Sequence, residues 1–267
     1  MLKFLALDVD GTLLNSKREV CESTIETIKE ARERGVMVTI CTGRPVQGAL
    51  PFVELFGLES PVIAYNGGMI VDSKTMEVLY EQDVSGEDAR RIIALGQERK
   101  TTIIIWSNNQ LYVNELNDHV NEYRKLSDVQ PIKIKDYEEL IQQGITKLLW
   151  IDDVKKIGVY KADMHNQLRE TVNVVISKPH YLEFVDKKVS KGQALKQIGE
   201  IYGINQDEMM AIGDGDNDLP MLEYAGLGVA MGNAPDFVKE KVDFVTASND
   251  EDGIAAAIRK FIVKVER

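Results

Sequence analysis

The sequence predicts an α/β protein in which a doubly wound parallel sheet carries a second, inserted α/β domain. Short apolar runs alternate with amphipathic helical segments at both ends of the chain, and this alternation is typical of strands paired in parallel. The middle of the chain repeats strand-like and helix-like segments over about 100 residues, the usual size of a domain. The chain has 267 residues, 44% of them hydrophobic, which is enough for one large core or two modest ones.

The N-terminal elements follow one another as strand, helix and strand. An apolar run that ends at Asp8 predicts a buried first strand. Ser23 and Glu26 have the spacing of a capping box, so we expect a helix to begin there and to end at Gly35. The next predicted elements are a strand at 36–41, a helix after Pro45 and a strand at 61–65.

The alternation returns near the C-terminus, so both ends of the chain are predicted to share one sheet. The predicted elements there are strands at 209–213, 228–231 and 243–246, and helices near Pro220, from Pro235 and from Asp250. The predicted elements of the middle are strands at 101–106, 111–113, 147–151, 172–177 and 181–185, and helices at 86–99, 137–143 and 155–169.

Polar residues cluster at 81–85 and 186–190, where we place the domain boundaries. The prediction is a discontinuous domain of residues 1–82 and 188–267 with residues 83–187 inserted. Because two connections join the inserted domain to the other, we expect it to close over that domain as a lid.

Charge and composition exclude several classes of function. The net charge of −11 argues against nucleic acid and acidic membranes as partners, because both require a basic surface. Asp8 interrupts the first apolar stretch and no later run is as long as a membrane span, so we expect a cytoplasmic protein. Two cysteines, Cys21 and Cys41, do not suggest a disulfide framework. We expect a monomer or a homodimer.

The segment Asp8-Val9-Asp10-Gly11-Thr12 places two carboxylates at the carboxyl end of the first strand, where Gly11 allows a sharp turn. Open α/β sheets bind ligands at this edge. A solvated turn after a strand is the alternative interpretation of this segment alone.

Three further polar clusters follow predicted strands or begin predicted helices. Thr42-Gly43-Arg44-Pro45 ends a strand, and a hydroxyl with free N–H groups can hold phosphate oxygens there. Lys191 begins a helix, near the positive end of its dipole. Gly213-Asp214-Gly215-Asp216-Asn217-Asp218 follows a strand. An Asx-rich turn or a calcium loop could also explain this segment, but Ala225 stands where an EF-hand requires glutamate.

These clusters have complementary chemistry, and a parallel sheet would bring them to one edge. Asp8 can attack phosphorus as a carboxylate nucleophile, which requires its ionised form. Asp10 can protonate the leaving oxygen and then deprotonate water, if like charge raises its pKa. Thr42, Gly43, Lys191 and Asn217 are the expected phosphate-binding residues.

We expect Mg²⁺ as the cofactor, because it offsets the charge of two approaching anions. Its expected ligands are Asp8, the Asp10 backbone carbonyl and Asp214. Asp218 is expected either to be a further metal ligand or to orient the ligands by hydrogen bonds. Arg44 and His180 are candidate substrate contacts, although Arg44 could instead cap its own helix and His180 could be an ordinary surface residue.

The chain resembles phosphatases of the haloacid dehalogenase superfamily, in particular the Cof-type, sugar-phosphatase-like branch. The segments that carry the resemblance are Asp8–Thr12, Thr42–Pro45, Ser190–Gly192 and Gly213–Asp218, with support from Tyr65–Gly67 and Val229–Ala234. It implies a Rossmann-like core, a mobile α/β cap, Mg²⁺ dependence, an aspartyl-phosphate intermediate and small phosphorylated metabolites as substrates. Gly68 and Lys188 depart from residues common in that branch, where alanine and glycine often stand.

Three other functions stay open at this point. A phosphomutase shares the aspartyl-phosphate chemistry but returns the phosphoryl group to a sugar. A non-hydrolytic phospho-acceptor of the response-regulator kind is disfavoured by Asp10 and by the inserted domain. A binding protein that has lost catalysis is disfavoured because every expected catalytic position is filled.

Overall fold

The computed structural model describes residues 1–127 and 129–263. The chain divides into two compact units, which we call the core unit (Met1–Tyr80 with Ser190–Arg267) and the inserted unit (Glu81–Val189). The sequence prediction places the boundaries after residue 82 and before residue 188. None of the helices in the two described stretches combines the length and the apolar composition that crossing a bilayer requires.

Strands and helices alternate through most of the described chain. The strands are β1 (Phe4–Leu7), β2 (Met37–Ile40), β3 (Val62–Ala64), β4 (Met69–Val71), β5 (Val78–Glu81), β6 (Thr102–Ser107), β7 (Gln110–Val113), β8 (Ile132–Lys133), β9 (Lys147–Ile151), β10 (Val172–Lys178), β11 (Tyr181–Asp186), β12 (Met209–Gly213), β13 (Leu227–Ala230) and β14 (Phe244–Val245). The α-helices are α1 (Glu22–Glu33), α2 (Val46–Phe56), α3 (Gly86–Glu98), α4 (Asp118–Ser127), α5 (Tyr137–Gln143), α6 (Val154–Gln167), α7 (Lys191–Tyr202), α8 (Leu219–Tyr224), α9 (Asp236–Lys239) and α10 (Gly253–Ile258).

The central sheet of the core unit has five parallel strands in the order β14-β13-β12-β1-β2. The first strand, β1, lies inside the sheet, and Leu7 is in register with Ile212 on one side and with Ile40 on the other. The residues that follow these three strands therefore leave the sheet side by side at one edge.

Alternate residues of each strand point to opposite faces of this sheet, and both faces are covered by helices. Leu5 and Leu7 belong to one buried cluster with residues of α1, α2 and α10. Phe4 and Ala6 belong to a second cluster with residues of α7 and α8. This arrangement is the predicted doubly wound α/β fold.

Two local predictions for the core unit are wrong. The first concerns α1, whose N-cap is Cys21. Ser23 lies inside the first turn, and its buried Oγ has no hydrogen-bond partner among the described residues. The second concerns β3, which touches the parallel sheet only through the Cys41–Ile63 bridge. It pairs antiparallel with β4 in a separate three-stranded sheet that also includes β5.

The inserted unit is built on a six-stranded sheet in the order β10-β11-β9-β6-β7-β8. One face of this sheet packs on apolar residues of α3, α5 and α6. Trp106 and Trp150 lie fully buried in its strands, in agreement with their apolar sequence context. The elements α4 and β8 of this unit were not among the predicted ones, and neither were β4 and β5.

Candidate active site

The parallel sheet of the core unit brings three of the predicted polar segments together. Asp8 directly follows β1, and its N–H donates to the carbonyl of Ile212 in β12 (3.0 Å). On the other side, the N–H of Cys41 donates to the carbonyl of Leu7 (2.8 Å), so that Thr42 leaves β2 next to Asp8. Asp214 leaves β12 on the opposite side of Asp8.

Lys191 is the centre of a buried ionic cluster. It is the first residue of α7, and the Ser190 side chain caps that helix by accepting from the N–H of Gln193 (3.0 Å). The Nζ of Lys191 lies 2.5 Å from Oδ1 of Asp8 and 2.5 Å from Oδ1 of Asp218. All three side chains are almost completely buried.

Burial and charge shift the pKa values of this cluster. Burial raises the pKa of Asp8 to about 7, because the attraction of Lys191 offsets the desolvation only in part and the neighbouring Asp218 and Asp214 repel a further negative charge. Burial alone would lower the pKa of Lys191, but the carboxylates of Asp8 and Asp218 outweigh it and raise that pKa. The lysine is therefore charged at neutral pH.

The loop after β12 folds around Asp218. The N–H groups of Asp214 and Gly215 donate to Oδ2 of Asp218 (3.0 and 2.9 Å), so both oxygens of this carboxylate are hydrogen-bonded. Oδ1 of Asp214 accepts from the Thr12 hydroxyl (2.9 Å). Gly11, at φ +91°, lies so close that a Cβ there would overlap the Asp214 carboxylate.

Three carboxylates of this site fit a hard divalent cation. Asp8, Asp214 and Asp218 each offer an oxygen, and these oxygens lie within 4.8 Å of one another. Mg²⁺ prefers oxygen ligands of this kind. Asp218 already gives its oxygens to Lys191 and to backbone N–H groups, so the arrangement favours Asp8 and Asp214 as ligands and Asp218 as their support.

The condition set for the shuttle role of Asp10, a pKa raised by like charge, is not met. Its carboxylate accepts two hydrogen bonds from Arg44, with Nε at 2.8 Å from one oxygen and Nη2 at 2.6 Å from the other. Burial alone would raise the pKa of Asp10, but the hydrogen bonds and charge of Arg44 outweigh it and lower the pKa. Arg44 also lies over the ring of Phe52 and does not cap its own helix through its side chain.

Asn66 connects the remaining predicted phosphate-binding residues. Its Oδ1 accepts from Nδ2 of Asn217 (3.1 Å), and a Cβ on Gly43 would meet the same side chain at 2.9 Å. Asn66 stands in a turn with left-handed backbone (φ 58°). Thr42 is buried, and its hydroxyl oxygen accepts from the N–H of Arg44 (3.2 Å).

Comparison with known proteins identifies the family. A model of the haloacid dehalogenase-like hydrolases matches residues 5–258. The chain belongs to this family. Relatives in Bacillus subtilis (strain 168) include "Putative phosphatase YxeH", 34% identical over 98% of this chain and 99% of that protein, and the 5-amino-6-(5-phospho-D-ribitylamino)uracil phosphatase YwtE, 33% identical over 98% of both. The chain is therefore a haloacid dehalogenase-like phosphatase.

Solved structures of the family have the same fold. A haloacid dehalogenase-like hydrolase from Bacteroides thetaiotaomicron has a TM-score of 0.88 and 31% identity, covering 97% of this chain and 99% of its own. The subclass IIB sugar phosphatase BT4131 has a TM-score of 0.80 and 27% identity, covering 97% and 98%.

The predicted site residues of this phosphatase divide between its two units. Asp8, Asp10, Thr42, Gly43, Arg44, Lys191, Asp214, Asn217 and Asp218 all lie in the core unit. His180 lies in the inserted unit, exposed in the turn between β10 and β11, with Nδ1 at 3.1 Å from the carbonyl oxygen of Asp152.

The sequence interpretation assigned no role to three further asparagines near the site, Asn66, Asn233 and Asn249. Asn66 and Asn233 lie within segments that carried the family resemblance, whereas Asn249 gave no signal. Their common sequence feature is a polar amide in a turn after an apolar run, which is too frequent in proteins to single them out.

Proposed function

We propose that this chain is a Mg²⁺-dependent phosphatase that hydrolyses small phosphorylated metabolites, sugar phosphates in particular, through an aspartyl-phosphate on Asp8. The observation that carries the proposal is the buried Asp8 carboxylate, held by Lys191 within 4.8 Å of the oxygens of Asp214 and Asp218. The substrate class is supported by the names of BT4131, a sugar phosphatase, and YwtE, whose substrate carries a phosphoribityl group.

In the first step of the proposed reaction, a carboxylate oxygen of Asp8 forms a bond to phosphorus while the bond from phosphorus to the leaving oxygen breaks. Mg²⁺, bound by Asp8 and Asp214, would neutralise the charge that keeps two anions apart. Lys191 would stabilise the oxygens of the phosphoryl group, and its position at the start of α7 directs the helix dipole to the same place.

Both steps require a proton transfer, and Asp10 is the candidate for it. After taking a proton from solvent, Asp10 would protonate the leaving oxygen in the first step, and its carboxylate would then accept a proton from the water that attacks the aspartyl-phosphate in the second. For this it has to exchange its bonds to Arg44 for a bond to the substrate. We propose that anionic substrate attracts the guanidinium of Arg44 and so releases Asp10.

The test is phosphate release from a panel of hexose, pentose, ribityl and aryl phosphates in the presence of Mg²⁺. Asp8→Asn removes the nucleophile and is expected to lower turnover by at least about 10³-fold on every substrate, while circular dichroism and the melting temperature show an intact fold. Turnover of Asp8→Asn within tenfold of the wild type would contradict the proposal.

The same panel separates hydrolysis from the phosphomutase alternative. Labelled phosphate from a hexose phosphate is expected in inorganic phosphate, and its appearance at a second position of the sugar would favour the mutase. The cytoplasmic location, the monomeric or homodimeric state, the action of the inserted unit as a lid and the role of His180 stay predictions.

A further inference from the structure

Asn233 spans two groups of the site that has been proposed to bind the cation. Its Nδ2 donates to the backbone carbonyl of Gly11 (2.9 Å) and lies 3.4 Å from Oδ2 of Asp214. An amide NH₂ group has two hydrogens, one for each acceptor. One side chain therefore ties the turn after β1 to the carboxylate that follows β12.

The orientation of the Asn233 amide is fixed by a third contact. Its Oδ1 accepts from the backbone N–H of Asn249 (3.0 Å). Because an N–H group can only donate, the amide oxygen has to face Asn249 and the NH₂ group has to face Gly11 and Asp214. The flipped amide would lose all three contacts.

The loop that carries Asn249 is fastened to the same turn at two more points. Nδ2 of Asn249 donates to the carbonyl of Leu14 (2.8 Å), and Oδ1 of Asp250 accepts from the N–H of Ser16 (2.9 Å). The loop is thereby linked to the segment that follows Asp10, and Asn233 connects the loop to Asp214.

The two oxygens of Asp214 thus receive different neutral donors, the Thr12 hydroxyl on Oδ1 and the Asn233 amide near Oδ2. A neutral donor orients a carboxylate without adding a positive charge that would repel a cation. Partners of this kind around metal-ligating carboxylates typically change metal affinity by about 10–100-fold when they are removed.

We propose that Asn233 is a positioning residue for the cation site: it sets the carboxylate of Asp214 against the turn after β1, and Asn249 fixes its orientation. The inference rests on the proposed function, since it acts through the cation that Asp8 and Asp214 would bind. The side chain of Asn233 contacts Gly11, Asp214 and Asn249, and the proposed role acts through Asp214, so the expected effect is on Mg²⁺ affinity and not directly on the chemical step.

The experiment is calorimetric titration of the metal-free full chain with Mg²⁺ alone. Asn233→Ala is expected to weaken Mg²⁺ binding about 10-fold or more, and Asn249→Ala about two- to fivefold, because it keeps the backbone N–H that orients Asn233. Asn205→Ala is the matched control. The Asn205 side chain contacts Glu208, which immediately precedes β12, and the variant is expected to bind Mg²⁺ as tightly as the wild type.

Turnover gives a second reading that a general loss of structure would not reproduce. A saturating Mg²⁺ concentration is expected to restore kcat of Asn233→Ala to within about threefold of the wild-type value. The Mg²⁺ concentration that gives the half-maximal rate is expected to be about tenfold higher in this variant than in the wild type. Unchanged Mg²⁺ affinity in Asn233→Ala, or a low kcat that saturating Mg²⁺ does not restore, would overturn the inference. If that variant does not fold, unchanged affinity in Asn249→Ala overturns it.

Asp214→Asn separates this inference from the proposed function. Mg²⁺ binding that persists at wild-type strength in Asp214→Asn would overturn the cation site itself, and the positioning role with it. Weak binding in Asp214→Asn together with wild-type binding in Asn233→Ala would overturn the positioning role alone and leave the cation site in place.

Discussion

The core unit and the inserted unit each bury a lysine, but the two lysines have different surroundings. In the core unit, Lys191 contacts two carboxylates at 2.5 Å, and Asp214 adds a third acid to the group. In the inserted unit, the Nζ of Lys147 lies 3.4 Å from a carboxylate oxygen of Glu183 and also interacts with Tyr123.

In the inserted unit, the pair of Lys147 and Glu183 carries one charge of each sign. One oxygen of Glu183 faces Lys147 and the other accepts from the Ser177 hydroxyl (2.7 Å). Tyr123 lies at the same place, where its hydroxyl accepts from Nε1 of Trp106 (2.8 Å). Burial alone would lower the pKa of Lys147, but Glu183 outweighs it and raises the pKa. A pair of this kind needs no further ion.

The core cluster is not balanced, since Asp8 and Asp218 share one lysine and Asp214 offers a third carboxylate oxygen within 4.8 Å of theirs. Buried charges of one sign are costly unless an opposite charge compensates them. The excess of negative charge is the physical reason to expect a cation in the core unit and not in the inserted unit. Burial of a lysine by itself does not distinguish a catalytic cluster from a structural one, whereas the charge sum of its neighbours does.

The largest expected contrast comes from removing each lysine in turn. Lys191→Met leaves Asp8 and Asp218 buried without their partner, which is expected to cost about 3–5 kcal/mol in the metal-free protein. It is also expected to lower phosphatase turnover by at least about 10²-fold, because the charge that would stabilise the phosphoryl oxygens is lost.

Lys147→Met is the matched variant in the inserted unit. It is expected to cost only about 1–3 kcal/mol, because Glu183 keeps its bond from Ser177, and to leave turnover of a small aryl phosphate within about threefold. Urea unfolding and steady-state rates of the two variants provide the measurement. Equal losses of turnover would remove the distinction between the clusters.

The imbalance of the core cluster could be predicted from the sequence because parallel sheets obey a simple rule. Asp8, Thr42 and Asp214 each follow a strand, and neighbouring parallel strands end at the same edge. Lys191 begins a helix that returns to this edge. Residues about 200 positions apart in the sequence therefore lie together at the edge of the sheet where the parallel strands end.

Contacts that depend on the path of a loop or on a side-chain rotamer could not be predicted. The Asp10–Arg44 pair needs a guanidinium to reach across from the turn after β2, and the sequence gives no sign of that direction. The β4–β5 hairpin depends on Asp72, whose carboxylate accepts from the N–H groups of Lys74 and Thr75 in a tight turn. Such local turns are compatible with many sheet arrangements.

Mg²⁺ is expected to stabilise the core unit and not the inserted unit. At a concentration 100 times its dissociation constant, a ligand that binds only the folded state adds about 2.7 kcal/mol. The two tryptophans, Trp106 and Trp150, both lie in the inserted unit, so their fluorescence reports its unfolding alone.

Far-UV circular dichroism follows both units in the same experiment. Mg²⁺ is expected to raise the dichroism midpoint of the core unit and to leave the fluorescence midpoint unchanged, and Asp214→Asn is expected to abolish the increase. An equal shift of both midpoints, or a shift that persists in Asp214→Asn, would contradict the assignment of the cation to the core cluster.

The smallest expected contrast is in the pH dependence of stability without metal. In the core unit the pKa of Asp8 is raised to about 7, so the folded state holds a proton that the unfolded state releases. Stability from this group is therefore lost as the pH rises from about 4 to 7, at no more than about 1.4 kcal/mol per pH unit. Hydrogen exchange of the β1 and β12 amides between pH 5 and 8 measures this pH dependence. Asp8→Asn is expected to make the stability of the core unit less dependent on pH in this range.

Asp88 of the inserted unit gives the opposite sign. Burial alone would raise its pKa, but hydrogen bonds from Ser85, Thr171 and Arg169 outweigh it and lower the pKa. Its contribution is present above the ordinary carboxylate pKa and is lost as the pH falls below about 4. The free energy of unfolding measured by tryptophan fluorescence is expected to fall by about 1 kcal/mol on acidification, and by less in Asp88→Asn. If the core unit instead loses stability as the pH falls from 7 to 5, the charge of Asp8 is compensated without a cation. The proposed difference in charge balance between the surroundings of Lys191 and those of Lys147 would then fail.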